Sequence, residues 1–429
     1  MAANPNTLTA GIQDTWDKVY QVTHHKLPVY PAFTNFRLAA GLKKGDVVNR
    51  QYRNTLVAYP MAGDGGYQRQ AITDTNETLT INQVPESSFY IKELDEIQNH
   101  LPTRAKHAYD AAVAVFNRVD GDVLGEYDQF TNNLDDGDLG GTAGNGISVT
   151  VSNIRQLFSG STKLLQRNNI RIDTNARFTG FRKEDSSENR PVAILSPDVY
   201  QILLESLDGK DSALGDKVGI NGHQGTYFGY DIFVSNAIGW SGRLVVSTIY
   251  VADDTVTVNG VVMTFKASVG STAGNLLLGA NAAANIDAVV AAINDSESLA
   301  AFNGGAGAST AGTLYVEFTL ANRNLLLHMT ATDNTSSMDL KVEGRGFITV
   351  STSSTPTDNS WTAALQVQHC LIGVNNTVDL VLQKTPDMLI KDRDGKVGKD
   401  VVTWAAYGLK TFNESLLKMI DVRARTDAY

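Results

Sequence analysis

The chain has 429 residues, of which 42% are hydrophobic and 19% are charged, and its formal net charge is −10. This length can bury one large core or two to three ordinary ones, and the acidic balance disfavours tight, sequence-independent binding of nucleic acid, which needs clustered Lys and Arg. The single cysteine, Cys370, excludes a disulfide framework within the chain and suits a reducing compartment.

The first residues carry neither a basic segment nor an apolar segment, so we expect no signal peptide. No apolar run in the sequence approaches the ~18 residues that a membrane span requires. Residues 1–44 are predicted to form an N-terminal arm. Within it, Ile12, Trp16, Val19 and Tyr20 recur at helical spacing, but such a helix is too short to be stable alone.

Residues 45–91 change to an extended pattern. Residues 47–59 are rich in β-branched and aromatic side chains, residues 63–66 would turn the chain, and an apolar return run extends from Ile72 to Ile91. The sequence therefore predicts a long two-stranded arm with polar flanks. Because isolated ribbons are marginal in water, we expect this arm to lean on a neighbouring subunit. The side chains predicted to make contacts between subunits are Trp16, Tyr20, Arg50, Tyr52, Arg53, Tyr67 and Arg69.

Residues 102–127 carry a continuous apolar stripe and are predicted to form a helix close to 40 Å long. An acidic, mobile loop is expected at residues 135–141, followed by a helix with Ser152 at its N-cap. Next come a buried strand, Pro191–Leu195, and a helix whose N-cap is Ser196 and whose first residue is Pro197. After a glycine-rich loop, residues 227–236 are predicted to form one further strand.

Residues 251–365 contain four Lys or Arg against ten Asp or Glu, together with many small and β-branched residues. Asn259 and Gly260 predict a hairpin turn between two strands, and residues 286–293 predict a helix. We expect an inserted domain, α+β or mostly β, over residues 241–365. Residues 378–383, 400–407 and 416–422 then predict three strands of the preceding domain.

Several groups of residues could suggest catalysis or metal binding, but a structural role is favoured for each of them. His24 and His25 lack a nearby ligand cluster, and His369 next to Cys370 lacks a third orienting residue, so a partly buried structural cysteine is expected. Residues 392–400 lack the terminal glutamate of a calcium loop and predict a β-turn. The acids at residues 93–96 fit a helix lead-in. We expect no catalytic, metal or cofactor site.

The order of these elements resembles the major capsid proteins of tailed bacteriophages with the Hong Kong 97 fold. Three segments carry the resemblance, at residues 193–200, at residues 229–236, and at residues 369–386 followed by 406–410. The inserted region resembles the extra domain of some short-tailed phage coat proteins. The resemblance implies an α+β fold with an N-terminal arm (1–44), an extended loop with peripheral-domain strands (45–91), a spine helix region (92–130), the first part of an axial domain (131–240), an inserted β-rich domain (241–365) and return strands of both domains (366–429).

By this resemblance the chain assembles into pentamers and hexamers of an icosahedral shell around double-stranded DNA, without reading its sequence. A portal and a scaffolding protein are the implied partners, and the implied location is the virion, after assembly in the host cytoplasm. Some family members join subunits through a lysine in the extended loop, but no lysine lies between Lys44 and Lys92, so non-covalent contacts by loop arginines with a neighbour's acids are expected.

Two alternatives remain open from the sequence. The first is an encapsulin-type compartment that shares the fold. The second is a virion surface protein whose inserted domain binds host glycans through Trp240, Tyr250, Tyr315 and Trp361.

Overall fold

The structure is a computed structural model. It describes residues 28–36, 47–53, 56–60, 69–93, 103–170, 190–207, 225–246, 249–258, 261–268, 274–295, 328–334, 337–343, 350–353, 359–361, 366–392 and 397–425. Helices and strands are mixed within these segments, which agrees with the predicted α+β class.

The α-helices are α1 (Thr103–Leu124), α2 (Ile154–Arg167), α3 (Pro197–Leu207) and α4 (Ala282–Asp295). The predicted long helix is present as α1 and continues as the 3-10 helix Gly125–Gln129. Helix α3 begins as predicted, because the Ser196 hydroxyl accepts a hydrogen bond of 3.2 Å from the backbone N–H of Val199.

One local prediction before α2, its N-cap, was wrong. Residue Asn153, not Ser152, occupies the N-cap of α2, because the Ser152 hydroxyl pairs with that of Thr150 at 2.9 Å. The acidic loop contains a 3-10 helix, Asp136–Leu139, whose start is fixed by a reciprocal capping box between Asp135 and Asp138. Its carboxylates therefore bond the backbone of the loop.

The strands of the described segments, in chain order, are β1 (Thr34–Asn35), β2 (Val47–Arg53), β3 (Asp74–Thr80), β4 (Glu86–Lys92), β5 (Asn132–Leu134), β6 (Ile147–Ser148), β7 (Pro191–Leu195), β8 (Thr226–Tyr227), β9 (Tyr230–Val234), β10 (Trp240–Val246), β11 (Thr255–Val258), β12 (Val261–Lys266), β13 (Asn275–Leu277), β14 (His328–Asn334), β15 (Ser337–Glu343), β16 (Val350–Ser353), β17 (Asn359–Trp361), β18 (Val367–Val374), β19 (Val378–Asp392), β20 (Gly398–Lys410) and β21 (Met419–Arg425).

Strand β18 is the centre of the largest sheet. It is buried at every position, and its partners are β10 and β7 on one edge and β21 on the other. Both of its faces are covered, so apolar residues are continuous over Cys370–Ile372, and the polar Gln368 and His369 are buried as well. The main hydrophobic core surrounds this strand and includes Phe158 of α2, Val199 of α3 and Val123 of α1.

Residues 227–236 do not form the single strand that the sequence predicts. Phe228 and Gly229 both have positive φ angles, of 55° and 88°, and connect β8 to the antiparallel β9. Two consecutive positive φ angles are typical of a tight type I′ hairpin turn. Strand β9 then pairs in parallel with β7, as expected for a strand–helix–strand unit.

A second hydrophobic cluster lies within residues 240–350 and shares no member with the main core. Met263, Phe265, Leu276, Val289 and Ile293 are fully buried in it. Strands β11 and β12 pair antiparallel with Val258 opposite Val261, so the predicted hairpin is present, although Asn259 and Gly260 lie outside the described residues. Strand β10 joins this cluster to β18, and the boundary of an inserted domain at residue 241 stays a prediction.

A smaller sheet has the order β1-β19-β20-β4. Strands β19 and β20 are longer than the sequence predicts, and they pair from Asp379 opposite Lys410 to Asp392 opposite Lys399. Residues 393–396 between them, where a β-turn is predicted, lie outside the described residues. The last predicted strand begins later than expected, at Met419.

Candidate assembly interface

Strands β2 and β3 form a two-stranded ribbon, from Val47 opposite Thr80 to Arg53 opposite Asp74. The ribbon is shorter than predicted, because residues 86–92 leave it and pair with β20 as strand β4. Its return strand is therefore divided between the ribbon and the smaller sheet, and only β2 and β3 extend as a pair.

The base of the ribbon is fixed to the body of the subunit. Val48 and Leu79 lie opposite each other in the ribbon and are buried in a small cluster with Val381 of β19 and Phe412. Because successive residues of a strand face opposite sides, one face of the ribbon base contacts the body. The apolar burial that stabilises this contact is thus intramolecular.

Arg50 adds polar contacts at the same base. Its Nη1 lies 3.4 Å from Oδ2 of Asp379, its other terminal nitrogen bonds Glu414, and its guanidinium carbon lies 5.1 Å from the centre of the Phe412 ring. The sequence leads one to expect acids of a neighbouring subunit around the loop arginines. The acids around Arg50 are those of its own chain.

Asp379 is completely buried, and its carboxylate also accepts a hydrogen bond of 2.7 Å from the side-chain amide of Asn35. Burial raises the pKa of Asp379 to about 6, although Arg50 and Asn35 act in the opposite direction. Nothing in the sequence around Asp379 separates it from an ordinary strand acid, because its partners are residues 35, 50 and 414.

The far end of the ribbon is apolar and exposed. The exposed fractions of Leu56, Val57, Tyr59 and Ile72 are 59%, 56%, 53% and 73%. The side chain of Gln70 bonds the backbone of Val57, at 2.9 Å for the N–H, and so keeps the two arms of the ribbon together beyond Arg53. We call these four apolar residues the ribbon tip.

Three of the other predicted contact residues lie next to the ribbon tip, and the remaining three lie outside the described residues. Tyr52 is 37% exposed, and the exposed Arg53 lies 3.7 Å from Asp74 on the opposite strand. Arg69 is exposed next to Gln70. Trp16, Tyr20 and Tyr67 lie outside the described residues, as do His24 and His25. The predicted contacts of all seven residues with other subunits stay predictions.

A second exposed apolar patch lies at the far end of β19 and β20 and was missed in the sequence. Its members are Met388, Leu389, Ile390 and Val397. The sequence does not predict that these side chains are exposed, because an apolar run such as Met388–Ile390 is typical of a buried strand. The strand pair extends past the core, and among the described strands β4 pairs with it there, over Gly398–Trp404.

His369 has the orienting partner that sequence reasoning did not find. Its Nδ1 lies 2.9 Å from the Asp421 carboxylate, its Nε2 lies 2.6 Å from the Ser241 hydroxyl, and its ring stacks on Tyr127 at 3.6 Å. Asp421 belongs to β21, Ser241 to β10, His369 to β18 and Tyr127 to the 3-10 helix Gly125–Gln129. The Ser–His–Asp order is that of a hydrolase triad, but the histidine and aspartate are buried within a sheet. We interpret the arrangement as a structural hydrogen-bond network that connects β10 to the main core.

Cys370 is a free cysteine as expected, but it is fully rather than partly buried. Burial raises the pKa of its thiol to about 12, so almost no thiolate is present at neutral pH. No cluster of three potential metal ligands occurs among the described residues, and none of their helices is long and apolar enough to span a membrane.

The glycan-binding alternative loses part of its basis. Tyr250 is fully buried and stacks on Phe265 at 4.4 Å, and Trp240 packs against the second cluster. Both therefore belong to the core. Tyr315 lies outside the described residues.

No protein-family model matches the sequence, and no curated protein matches it. Among solved structures, the chain is similar to one titled "Mycobacterium phage Che8", with a TM-score of 0.55, 12% identity and coverage of 97% of both chains. It also matches "The head structure of Helicobacter pylori bacteriophage KHP40" (TM-score 0.49, 9% identity, 99% of this chain and 98% of that chain) and "Capsid structure of the Cyanophage P-SCSP1u" (0.47, 12%, 97% and 93%).

Only the first of these likenesses exceeds a TM-score of 0.5, and it extends over nearly the whole of both chains. The chain therefore has the fold of the chain it matches in that phage structure. At 12% identity the likeness establishes the fold.

Proposed function

We propose that this chain is the major capsid protein of a tailed bacteriophage, a structural rather than catalytic protein whose copies assemble into the icosahedral shell. The observation that carries the proposal is the ribbon, which has a base fixed to its own subunit and an exposed apolar tip. The fold shared with a bacteriophage structure supports the same conclusion.

In this proposal the ribbon tip docks on an adjoining copy. Full burial of a large apolar side chain contributes about 1.5–3 kcal/mol, so Leu56, Val57, Tyr59 and Ile72 together contribute several kcal/mol before the costs of association. A single contact of this size dissociates readily. The same contact repeated around a closed ring of subunits holds the ring together firmly. Heterologous contacts that close into rings of five and six would build the shell.

We further propose that the shell elements correspond to those of the Hong Kong 97 fold, with α1 as the spine helix and β19, β20 and β4 in the peripheral domain. Residues 241–365 would then be the inserted domain. The contacts between copies would be non-covalent, because the ribbon lacks a lysine between Lys44 and Lys92. Double-stranded DNA inside, a portal and a scaffolding protein are the proposed partners, with assembly in the host cytoplasm.

Electron microscopy of the expressed full-length chain tests the class of protein. Uniform hollow particles are expected, and denaturing gels of these particles should show a single band at the subunit mass, which is 46.3 kDa. A dispersed monomer under all conditions would contradict the proposal. A ladder of covalent multimers would contradict the non-covalent contacts alone.

Variants of the ribbon tip test the proposed contact. Tyr59→Ser and Ile72→Ser together should abolish particles while the circular dichroism and the unfolding midpoint of the subunit stay unchanged, because both side chains are exposed in the subunit. Val262→Ser is the matched control, since Val262 is also exposed but lies in β12, on the second cluster. Particles that form normally from the tip variant would contradict the proposed docking.

A further inference from the structure

Three segments of the chain meet at the buried carboxylate of Asp379. Asn35 of β1 donates to its Oδ1, Arg50 of the ribbon lies beside its Oδ2, and the 3-10 helix Asn413–Ser415 brings Glu414 to the other side of Arg50. Asp379 itself belongs to β19, between β1 and β20, and therefore to the body of the subunit. Arg50 belongs to the ribbon.

Other charged groups around this contact are few. Lys418 is the further cation that acts on Asp379, and Glu414 is the further acid. One step farther, Glu77 of β3 accepts a hydrogen bond of 3.1 Å from the backbone N–H of Asn413, and Lys410 of β20 donates one of 2.8 Å to the carbonyl of Thr78. Arg50 is thus the group that connects the ribbon to the buried charge.

We propose that Arg50 and Asp379 form a pH-sensitive latch, which holds the ribbon base on the subunit body at neutral pH and loosens in mild acid. The ionised carboxylate attracts the guanidinium, whereas the protonated carboxyl carries no charge to hold it. Glu414 cannot replace this contact, because its side chain is about half exposed and its attraction is screened by water.

The pH range follows from the properties of Asp379. Burial raises its pKa to about 6, while the charge of Arg50 favours the ionised form. Arg50 lowers the affinity of Asp379 for a proton. By thermodynamic reciprocity, a proton on Asp379 weakens the contact with Arg50 by the same factor. Release here means that Arg50 leaves a carboxyl that stays within β19, whose pKa without Arg50 lies above 6, so the latch weakens as the pH falls toward about 6 and is open more often below it.

Hydrogen exchange of the full chain, measured below the concentration at which light scattering detects particles, tests the latch. After correction for intrinsic exchange rates, the amides of Val47–Arg53 should exchange about tenfold faster at pH 5 than at pH 7.5, the effect of about one pKa unit of coupling. The amides of the central strand β18 (Val367–Val374) serve as the internal control and should not change.

Two variants separate the latch from general loosening. Asp379→Asn should give fast exchange of the ribbon base at every pH and no pH step, whereas Glu414→Gln should keep the step. A step that persists in Asp379→Asn, or a wild-type ribbon without a step, would overturn the latch. If Asp379→Asn fails to fold, Arg50→Gln makes the same prediction. The effect of the latch on contacts between copies rests on the proposed function, which is judged separately by particle formation.

Discussion

Oδ1 of Asp120, in the buried part of α1, accepts a hydrogen bond of 2.9 Å from the backbone N–H of Tyr30. The same oxygen accepts another, also of 2.9 Å, from the N–H of Val29. One carboxylate of the long helix thus holds the segment that precedes β1. Asp120 is 90 residues from Tyr30 in the sequence, and this contact joins residues 28–35 to the main core.

Replacement of Asp120 should detach that segment. Asp120→Ala leaves two backbone donors without a partner, so we expect the free energy of unfolding to fall by about 3 kcal/mol. Asp120→Asn keeps an accepting oxygen in the same place and should cost clearly less. Urea denaturation of the subunit measures both variants, and equal costs for the two would show that the hydrogen bonds to Oδ1 contribute little.

Cys370 should resist thiol reagents in the folded protein. Its pKa is raised from 9.0 to about 12, which lowers the thiolate fraction at pH 8 by about a thousandfold, and burial restricts access further. Because the chain has one cysteine, the rate of labelling by a maleimide reports this site alone. Labelling should be fast in denaturant and very slow without it. Rapid labelling of the folded chain would contradict the burial of β18.

The two hydrophobic clusters predict two separable unfolding transitions. Phe158 is fully buried in the main core, and Phe265 is fully buried in the second cluster. Phe158→Ala and Phe265→Ala should therefore each lower the free energy of unfolding of the cluster that contains it by about 3–5 kcal/mol. Differential scanning calorimetry should show that each variant shifts a different transition. If both variants shift the same single transition, residues 241–365 do not form a domain of their own.

The folding stability should depend on the ionisation of Asp379. Its folded-state pKa, about 6, exceeds its ordinary value of 3.8, so the folded chain binds the proton more tightly and this stabilisation is lost as the pH rises from about 4 to about 6. Relative to Asp379→Asn, the wild type should lose roughly 2–3 kcal/mol over this range. The control is Asp387→Asn, which makes the same substitution at an exposed carboxylate of β19. Parallel profiles for the wild type and Asp379→Asn would show that Asp379 is not buried as described.

The sequence predicted the elements whose signals are local. The helix at Pro197 has its cap, its proline and its apolar face within a dozen residues, and the helix that begins at Thr103 has an uninterrupted stripe. Both are present. The hairpin that replaces the strand at residues 227–236 was missed because Phe228 adopts a positive φ, which a bulky residue rarely does.

The sites that depend on distant residues were beyond prediction. The partners of Asp379 lie at residues 35, 50 and 414, and those of His369 lie at residues 127, 241 and 421. Composition and residue spacing do not predict contacts between residues that are far apart in the sequence unless the fold is known. The same limit explains why the apolar run at Met388–Ile390 could not be identified as exposed: its burial depends on whether another layer covers it.

The neighbours of β18 come from three separate places in the chain, Pro191–Leu195, Trp240–Val246 and Met419–Arg425. During synthesis the central sheet therefore stays open until residue 425 has left the ribosome. Folding of this subunit is expected to be slow, as for other topologies dominated by non-local pairing, and to finish after translation. A chaperone that shields the unpaired edge of β18 would act in that interval.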